Sequence, residues 1–288
     1  MAEIPAAAVV KLRQMSGQSM GECKKALEEA HGDMDKATEI LRKKGLATLA
    51  KRAERETTEG AVVSWQSEDG KTAAMATLCC ETDFVAKSDD FVALAKDLRE
   101  YIAAGAPEPG AATVLQTAVA GKNFQEILTE VVSRTGEKMQ VGDYVQFRLQ
   151  GPGLIGIYVH FNKKVGSMVQ IETDSEQVAQ APAVKQAASD FAMHVTASKP
   201  IALDAESLDP QTVEREKVIY AAQVKNKPPE VVKRIVEGKL KKFYSDYCLL
   251  LQPFVKDDTK TVEQVLAEAA KQAGGKASLK QFVRFEVG

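Results

Sequence analysis

Apolar residues recur along this chain with two different spacings, and the change of spacing marks where strands give way to helices. Thr72–Cys80 is an apolar run without Gly or Pro, which is typical of a buried strand. One face of a following helix is predicted from apolar residues at i, i+3, i+4, i+7 and i+11, namely Phe91, Leu94, Ala95, Leu98 and Ile102. The pattern predicts a strand that ends near Cys80 and a helix that begins before Phe91.

The segment Glu81–Lys87 joins this strand to this helix and is open to two interpretations. Thr82 and Asp83 are residue types that cap helix N-termini, so the segment can be a capped helix start with Phe84 folded into the core. Alternatively, Asp83 and Phe84 form an exposed pair that inserts into a partner. The spacing of apolar residues does not decide between the two.

The strand is part of a degenerate internal repeat. Ala74–Asp83 aligns without a gap on Val165–Asp174, and both copies end in Glu-Thr-Asp. Each copy follows a turn and an earlier apolar run, Ala61–Trp65 or Ile155–Val159, so each is expected to be the return strand of a hairpin. An amphipathic helix follows each copy. This order predicts an α+β core of two related subdomains, each a small antiparallel sheet with packed helices.

The N-terminal region predicts three short helices. The first contains Val9 and Leu12 and stops at Gly17, and Ser19-x-x-Glu22 has the capping-box pattern for the second. A third helix is expected between Asp33 and Gly45, with a linking helix over residues 46–55. A three-helix bundle can also be a helix-turn-helix DNA reader. The basic run 42–44 favours that alternative, and the acidic residues of the same helices weaken it.

The C-terminal part predicts a helical hairpin around Pro228–Pro229, then a last helix over Thr261–Ala273 and a strand over Phe282–Val287. The predicted modules are 1–56 (bundle and linking helix), 57–141 (first core subdomain), 142–203 (start of the second), 204–246 (inserted hairpin) and 247–288 (return to the second).

Charge, cysteine spacing and the motifs present in the sequence argue against several classes of function. A net charge of −2 and a pI near 6.1 argue against a nucleic-acid-binding face as the main property. Four cysteines without C-x-x-C spacing and three scattered histidines do not predict a metal site, and adjacent Cys79 and Cys80 are expected to pack on opposite faces of the strand. No phosphate-loop, zinc-protease or nucleophile-elbow motif occurs. We therefore expect that the protein is not an enzyme and binds no cofactor. No apolar run in the sequence is long enough to span a bilayer.

Five stretches resemble one known family. Thr82–Lys87 is similar to the signature hexapeptide of the elongation factor Ts family, whose members exchange nucleotide on elongation factor Tu. Similar matches run in the family's order along the rest of the chain, at Val10–Leu27, His194–Pro200, Leu251–Val255 and Phe282–Gly288.

The resemblance implies specific roles for residues and modules. It implies a bundle of ubiquitin-associated type that docks on the nucleotide-binding domain of elongation factor Tu. It also implies partner contacts at Thr82, Asp83, Phe84 and Val85, with Phe84 as a wedge, and at His160, although a lone His beside a turn is usually only a surface residue. The resemblance implies no DNA partner.

Three further expectations follow from it. In the family the hairpin region can serve dimerisation, so a homodimer is possible. Many family members continue past the segment that corresponds to Val287–Gly288 into a short C-terminal helix that contacts the partner. That contact cannot be carried over to this chain. The expected protein is a cytoplasmic translation factor without a membrane partner. The alternative is a non-catalytic scaffold or nucleic-acid-associated binding protein built from the same modules.

Overall fold

The fold is α+β, as the pattern of strands and helices predicts. The computed structural model describes residues 4–106, 108–224 and 227–288, without the side chains of residues 48–51. The chain divides into two compact units. The first runs to Gln66 and adds Ala74–Gln146 and Phe285–Gly288, and the second contains Ser67–Ala73 and Phe147–Arg284.

The N-terminal three helices are α1 (Ala6–Ser16), α2 (Met20–Glu29) and α3 (Met34–Lys51). Gly17 ends α1 in the left-handed conformation, at φ 67°, which glycine adopts without strain. The Ser19 side chain accepts a hydrogen bond from the Glu22 N–H and so caps α2. A shared core holds the helices together and includes the fully buried Leu12, Cys23 and Leu27. The predicted bundle is confirmed.

The predicted end of the third helix at Gly45 is wrong, because α3 continues through Gly45 to Lys51. A Cβ atom at this position would lie 3.0 Å from the side chain of Thr129 and 3.1 Å from Cβ of Ser133. The glycine therefore serves close packing between two helices and is not a helix terminator. The linking helix predicted for 46–55 is in part a continuation of α3, and the predicted positions Leu49, Ala50 and Lys51 have side chains outside the described residues.

The first unit continues with a three-stranded sheet of order β1-β2-β5 and its helices. The elements are β1 (Glu59–Gln66), β2 (Thr72–Cys80), α4 (Asp83–Ala86), α5 (Asp89–Ala104), α6 (Ala111–Gln116), β3 (Ala118–Val119), β4 (Lys122–Asn123), α7 (Phe124–Thr135) and β5 (Met139–Arg148). Buried residues of β2, α5 and α7, such as Leu78, Phe91 and Phe124, share one core. Pro107, between α5 and α6, lies outside the described residues.

The second unit has a three-stranded sheet of order β10-β7-β6. Its elements are β6 (Gly153–Val159), β7 (Val165–Thr173), α8 (Glu176–Gln180), α9 (Pro182–Ser198), α10 (Pro210–Gln223), α11 (Pro229–Tyr247), a 3-10 turn (Leu249–Leu251), β8 (Pro253–Phe254), β9 (Asp257–Thr261), α12 (Val262–Gln272) and β10 (Ala277–Glu286). Strands β6 and β7 pair antiparallel. Helix α9 lies so close to β6 that a Cβ at Gly156 would be 2.1 Å from the Ala188 carbonyl oxygen.

Helices α10 and α11 form the predicted hairpin, which buries little of its surface. Helix α10 has no buried residue, and α11 buries only Leu240 and Phe243. At its base, Phe243 packs in a small cluster with Ala202, Leu208 and Cys248. The hairpin is therefore held mainly at one end.

A buried histidine fixes the chain next to that base. The His194 ring accepts a hydrogen bond from the Val255 N–H at Nδ1 (3.1 Å), so Nε2 carries the proton towards Oε1 of Gln252 (2.9 Å). The amide of Gln252 in turn donates to the carbonyl oxygens of Asp246 (2.8 Å) and Ser198 (3.3 Å). Burial lowers the pKa of His194, which is fully shielded from solvent. The neutral ring thus joins α9, the end of α11 and β8.

Candidate partner-binding site

The segment between β2 and α5 is anchored by its first residue, Glu81. One carboxylate oxygen accepts hydrogen bonds from the Lys138 N–H (2.6 Å) and from Arg52 (3.1 Å), and the other accepts from Arg55 (2.8 Å). Burial alone would raise the pKa of Glu81, but these three donors outweigh burial and lower it. The charged carboxylate therefore ties the end of β2 to the start of β5.

Thr82 adds a second tie and starts helix α4. Its hydroxyl accepts from the Val85 N–H (3.3 Å), the N-cap bond that the sequence predicts. The same hydroxyl lies 3.0 Å from both carboxylate oxygens of Glu137, to which it donates. Two consecutive residues are thus fixed to the residues that precede β5, so the backbone after them has little freedom.

Phe84 projects from this anchored turn into solvent, with 83% of its surface exposed. The alternative in which Phe84 folds into the core is therefore wrong, whereas the capped helix start is confirmed. Asp83 stands beside it and forms an ion pair with Lys87, at 2.7 Å. The hydrogen bond from Lys87 lowers the pKa of Asp83, and Asp83 raises the pKa of Lys87. The tip of the turn is an exposed aromatic ring next to an ionised carboxylate.

The other side of α4 holds the turn against the core. Val85 is partly buried and packs against the core of the first unit. The Ser88 hydroxyl donates to the Val85 carbonyl oxygen (2.8 Å) and accepts from the Phe91 N–H (3.3 Å), so it caps α5 directly after α4. Since Phe91 is buried, the second helix fixes the first.

The two copies of the repeat use their shared Glu-Thr-Asp differently. In the second copy Asp174 makes the close bond at the start of the next strand, since its Oδ2 accepts from the Lys276 N–H (2.8 Å), whereas Glu172 makes only an exposed ion pair with Lys280 (3.7 Å). The helix cap also moves two residues on, from the position of Thr82 to Ser175, and α8 buries Val178 and Ala179. In the first copy Glu81 holds the strand. Asp83 is consequently free to face outward, and the helix after it buries none of its residues.

His160 lies in the second unit, at the tip of the β6–β7 hairpin. Its Nδ1 is 3.0 Å from Oδ1 of Asn162, which also accepts from the Lys164 N–H. The His160 ring packs on Phe161, with ring centroids 4.2 Å apart. Phe161 is 88% exposed. The sequence interpretation named His160 and missed Phe161, although an aromatic residue within a hairpin turn is a signal that it could have used.

Comparison with known proteins agrees with these motifs. The family model described as "Elongation factor TS" matches residues 81–288. The chain belongs to the elongation factor Ts family. Elongation factor Ts of a Nitratiruptor species is 41% identical over 287 residues, which cover 99% of this chain and 93% of that protein. Elongation factor Ts of Desulfovibrio desulfuricans is 39% identical over 290 residues, covering 100% and 99%.

The predicted family, and with it the class of translation elongation factor, is therefore confirmed. A third relative, Elongation factor Ts of Clostridium botulinum, is 39% identical over 287 residues, which cover 99% of this chain and 93% of that protein. Thr82, Asp83, Phe84 and Val85 all fall within the matched region, as does His160. The match extends over the end of the first copy of the repeat, the whole second copy and the helical hairpin.

Other candidate chemistry in this elongation factor Ts family member has structural explanations. Burial, with the nearby Glu137 charge, raises the pKa of the Cys80 thiol to about 12, which suits packing and not nucleophilic attack. The basic run that favoured a DNA reader is paired with carboxylates in every case: Arg42 with Glu126, Lys43 with Glu39, and Lys44 with Glu22. Within the described residues, no cluster of three metal-binding side chains and no helix suited to crossing a bilayer occurs.

Proposed function

We propose that this chain is a guanine nucleotide exchange factor that acts on elongation factor Tu, with Phe84 as the group that inserts into the GTPase. The observation that carries the proposal is the exposed ring of Phe84 on an anchored turn. Burying such a ring in a partner gains hydrophobic free energy. Because the turn is already fixed, little conformational entropy is lost on binding.

The proposed mechanism weakens the nucleotide site through small displacements. Phe84 wedges between helices of the GTPase, and the partly buried Val85 supports the turn from behind. GDP in such a GTPase is held by phosphate contacts and by Mg²⁺, which requires near-ideal octahedral geometry. A shift of the surrounding elements therefore weakens both contacts. The ionised Asp83 adds a negative charge beside the wedge, which repels phosphate or competes for its hydrogen-bond donors.

Binding of the factor and binding of the nucleotide must oppose each other by the same factor. A coupling free energy of about 4 kcal/mol corresponds to about a thousandfold change in nucleotide affinity. GDP then leaves the complex, and incoming GTP expels the exchange factor. In the proposal, the N-terminal bundle and the tip formed by His160 and Phe161 supply further contacts with the same partner.

The test is to mix this protein with elongation factor Tu that carries a fluorescent GDP and to follow GDP release by stopped flow. The expected result is a release rate that rises with the concentration of the factor and then saturates. In the reciprocal experiment, added GDP should lower the affinity between the two proteins. A release rate that does not change with the factor would overturn the exchange function and leave a binding module of the same fold.

A further inference from the structure

A cavity of about 380 Å³ lies within the first unit, where α1 and α3 of the bundle face α7. Met15 and Leu41 contribute apolar surface, and the side chains around them are mainly hydroxyls and charged groups. This volume falls in the range that small-molecule sites occupy in proteins. The cavity involves neither the Phe84 turn nor the hairpin tip.

Two polar side chains that line this cavity, those of Gln18 and Ser133, have no hydrogen-bond partner among the described residues, and Gln18 is the more buried of the two. Gln18 follows the glycine that ends α1, is only 7% exposed and lines the cavity. Its backbone groups are hydrogen-bonded to Ser16 and Cys23, but its side-chain amide bonds to none of the described residues. In the described part of the chain, no polar side-chain atom is both sealed from solvent and unpartnered. The Gln18 amide therefore keeps some accessible surface, and Gln18 lines the cavity. An occupant of the cavity that offers both a donor and an acceptor can pair with this amide.

The remaining polar groups restrict the charge of such an occupant. Three lining hydroxyl groups donate to a carbonyl oxygen of their own helix, four positions back, at Ser16 (2.7 Å), Thr38 (2.9 Å) and Thr129 (2.7 Å). These three can offer only acceptor lone pairs, whereas the hydroxyl of Ser133 can also donate. Both cations at the cavity are already compensated, Arg42 by Glu126 and Lys122 by Glu130. An anion would find no uncompensated charge, so the lining favours a neutral molecule.

We propose that this cavity binds a neutral heteroaromatic molecule the size of a nucleobase, which presents an adjacent donor and acceptor to the amide of Gln18. A glutamine amide forms two such hydrogen bonds with the donor and acceptor edge of adenine. The flat ring would pack on Met15 and Leu41. Because the two cations are already paired, we expect the phosphate of a nucleotide to add no affinity at this site.

The experiment titrates the full-length protein with adenine and follows backbone and glutamine side-chain amide resonances by NMR. Benzimidazole is the matched probe, since it has the same fused-ring shape without the exocyclic amine. Adenine should shift the Gln18 side-chain resonances and bind about tenfold more tightly than benzimidazole. In Gln18→Met, adenine should bind only as weakly as benzimidazole.

A second variant keeps the proposal testable if the Gln18→Met protein does not fold. Thr38 is exposed and lines the cavity from α3, so Thr38→Phe fills the space without entering the core. Loss of adenine binding in Thr38→Phe supports the site. Equal affinity for the two probes, unchanged adenine binding in either variant, or shifts confined to other parts of the protein would each overturn the proposal.

Discussion

Truncation of Phe84 to alanine isolates the contribution of the proposed wedge. The side chain is 83% exposed, so its removal should change the free energy of unfolding by no more than about 0.5 kcal/mol. Complete burial of a Phe side chain in a partner is worth about 1.5–3 kcal/mol, and truncation of central aromatic anchors at interfaces costs about 2–4 kcal/mol. Phe84→Ala should therefore lower the efficiency of GDP release by about 30- to 1,000-fold while the fold is retained.

The assay is stopped-flow release of fluorescent GDP from elongation factor Tu over a range of factor concentrations. Val92→Ala is the matched control, because Val92 is also an exposed apolar residue and lies on the neighbouring helix α5. This variant should exchange within about twofold of the wild type, as expected for a peripheral contact. An unchanged rate in Phe84→Ala, with both variants folded, would remove Phe84 from the mechanism. Equal losses in the two variants would show that apolar surface in general matters, and not the wedge.

Three further predictions concern stability and are measured by urea unfolding. Thr82→Ala should lose about 1 kcal/mol through the cap and the Glu137 bond, and Thr82→Ser should restore most of it; equal stability of all three would contradict the anchoring role. Below pH 6.5 the unfolded chain protonates His194 whereas the folded chain keeps it neutral, so wild-type stability should fall by up to about 1.4 kcal/mol per pH unit. His194→Gln should lack this component, and a parallel pH profile would refute it. Gly156→Ala should cost about 3 kcal/mol because its Cβ meets a carbonyl oxygen, whereas Gly238→Ala, in open space on α11, should gain about 0.5–1 kcal/mol; similar effects at both sites would refute the packing argument.

Local patterns were sufficient to predict most of the elements in this chain. The apolar run without Gly or Pro predicts β2 with its observed bounds, Thr72–Cys80, and the i, i+3, i+4 spacing predicts α5. Gly45 was misread because a glycine that ends a helix and a glycine that lets two helices approach are identical in sequence. The difference lies in Thr129, which is far away along the chain.

The site shows the same limit more clearly. Thr82 as a cap is a local property, and it was predicted. Exposure of Phe84 depends on the bond between Glu81 and the Lys138 backbone, 57 residues away, which no spacing rule contains. The partner roles of Thr82, Asp83, Phe84, Val85 and His160 rest on the family resemblance and stay predictions, as do the module boundaries and the homodimer.

The sparse burial of the α10–α11 hairpin has a consequence for how the protein opens. Hydrogen exchange at an amide proceeds through the opening reaction of lowest free energy that exposes it. An element with few buried apolar contacts can open in this way while the rest of the protein stays folded. The amides of α10, which buries no residue, should therefore exchange by a local route with low protection. Those of α9, built around the fully buried Phe191, should exchange only when the second unit unfolds. We therefore expect the hairpin to open as a separate cooperative unit, while Gln252 links its end to the neutral ring of His194 in the more stable body.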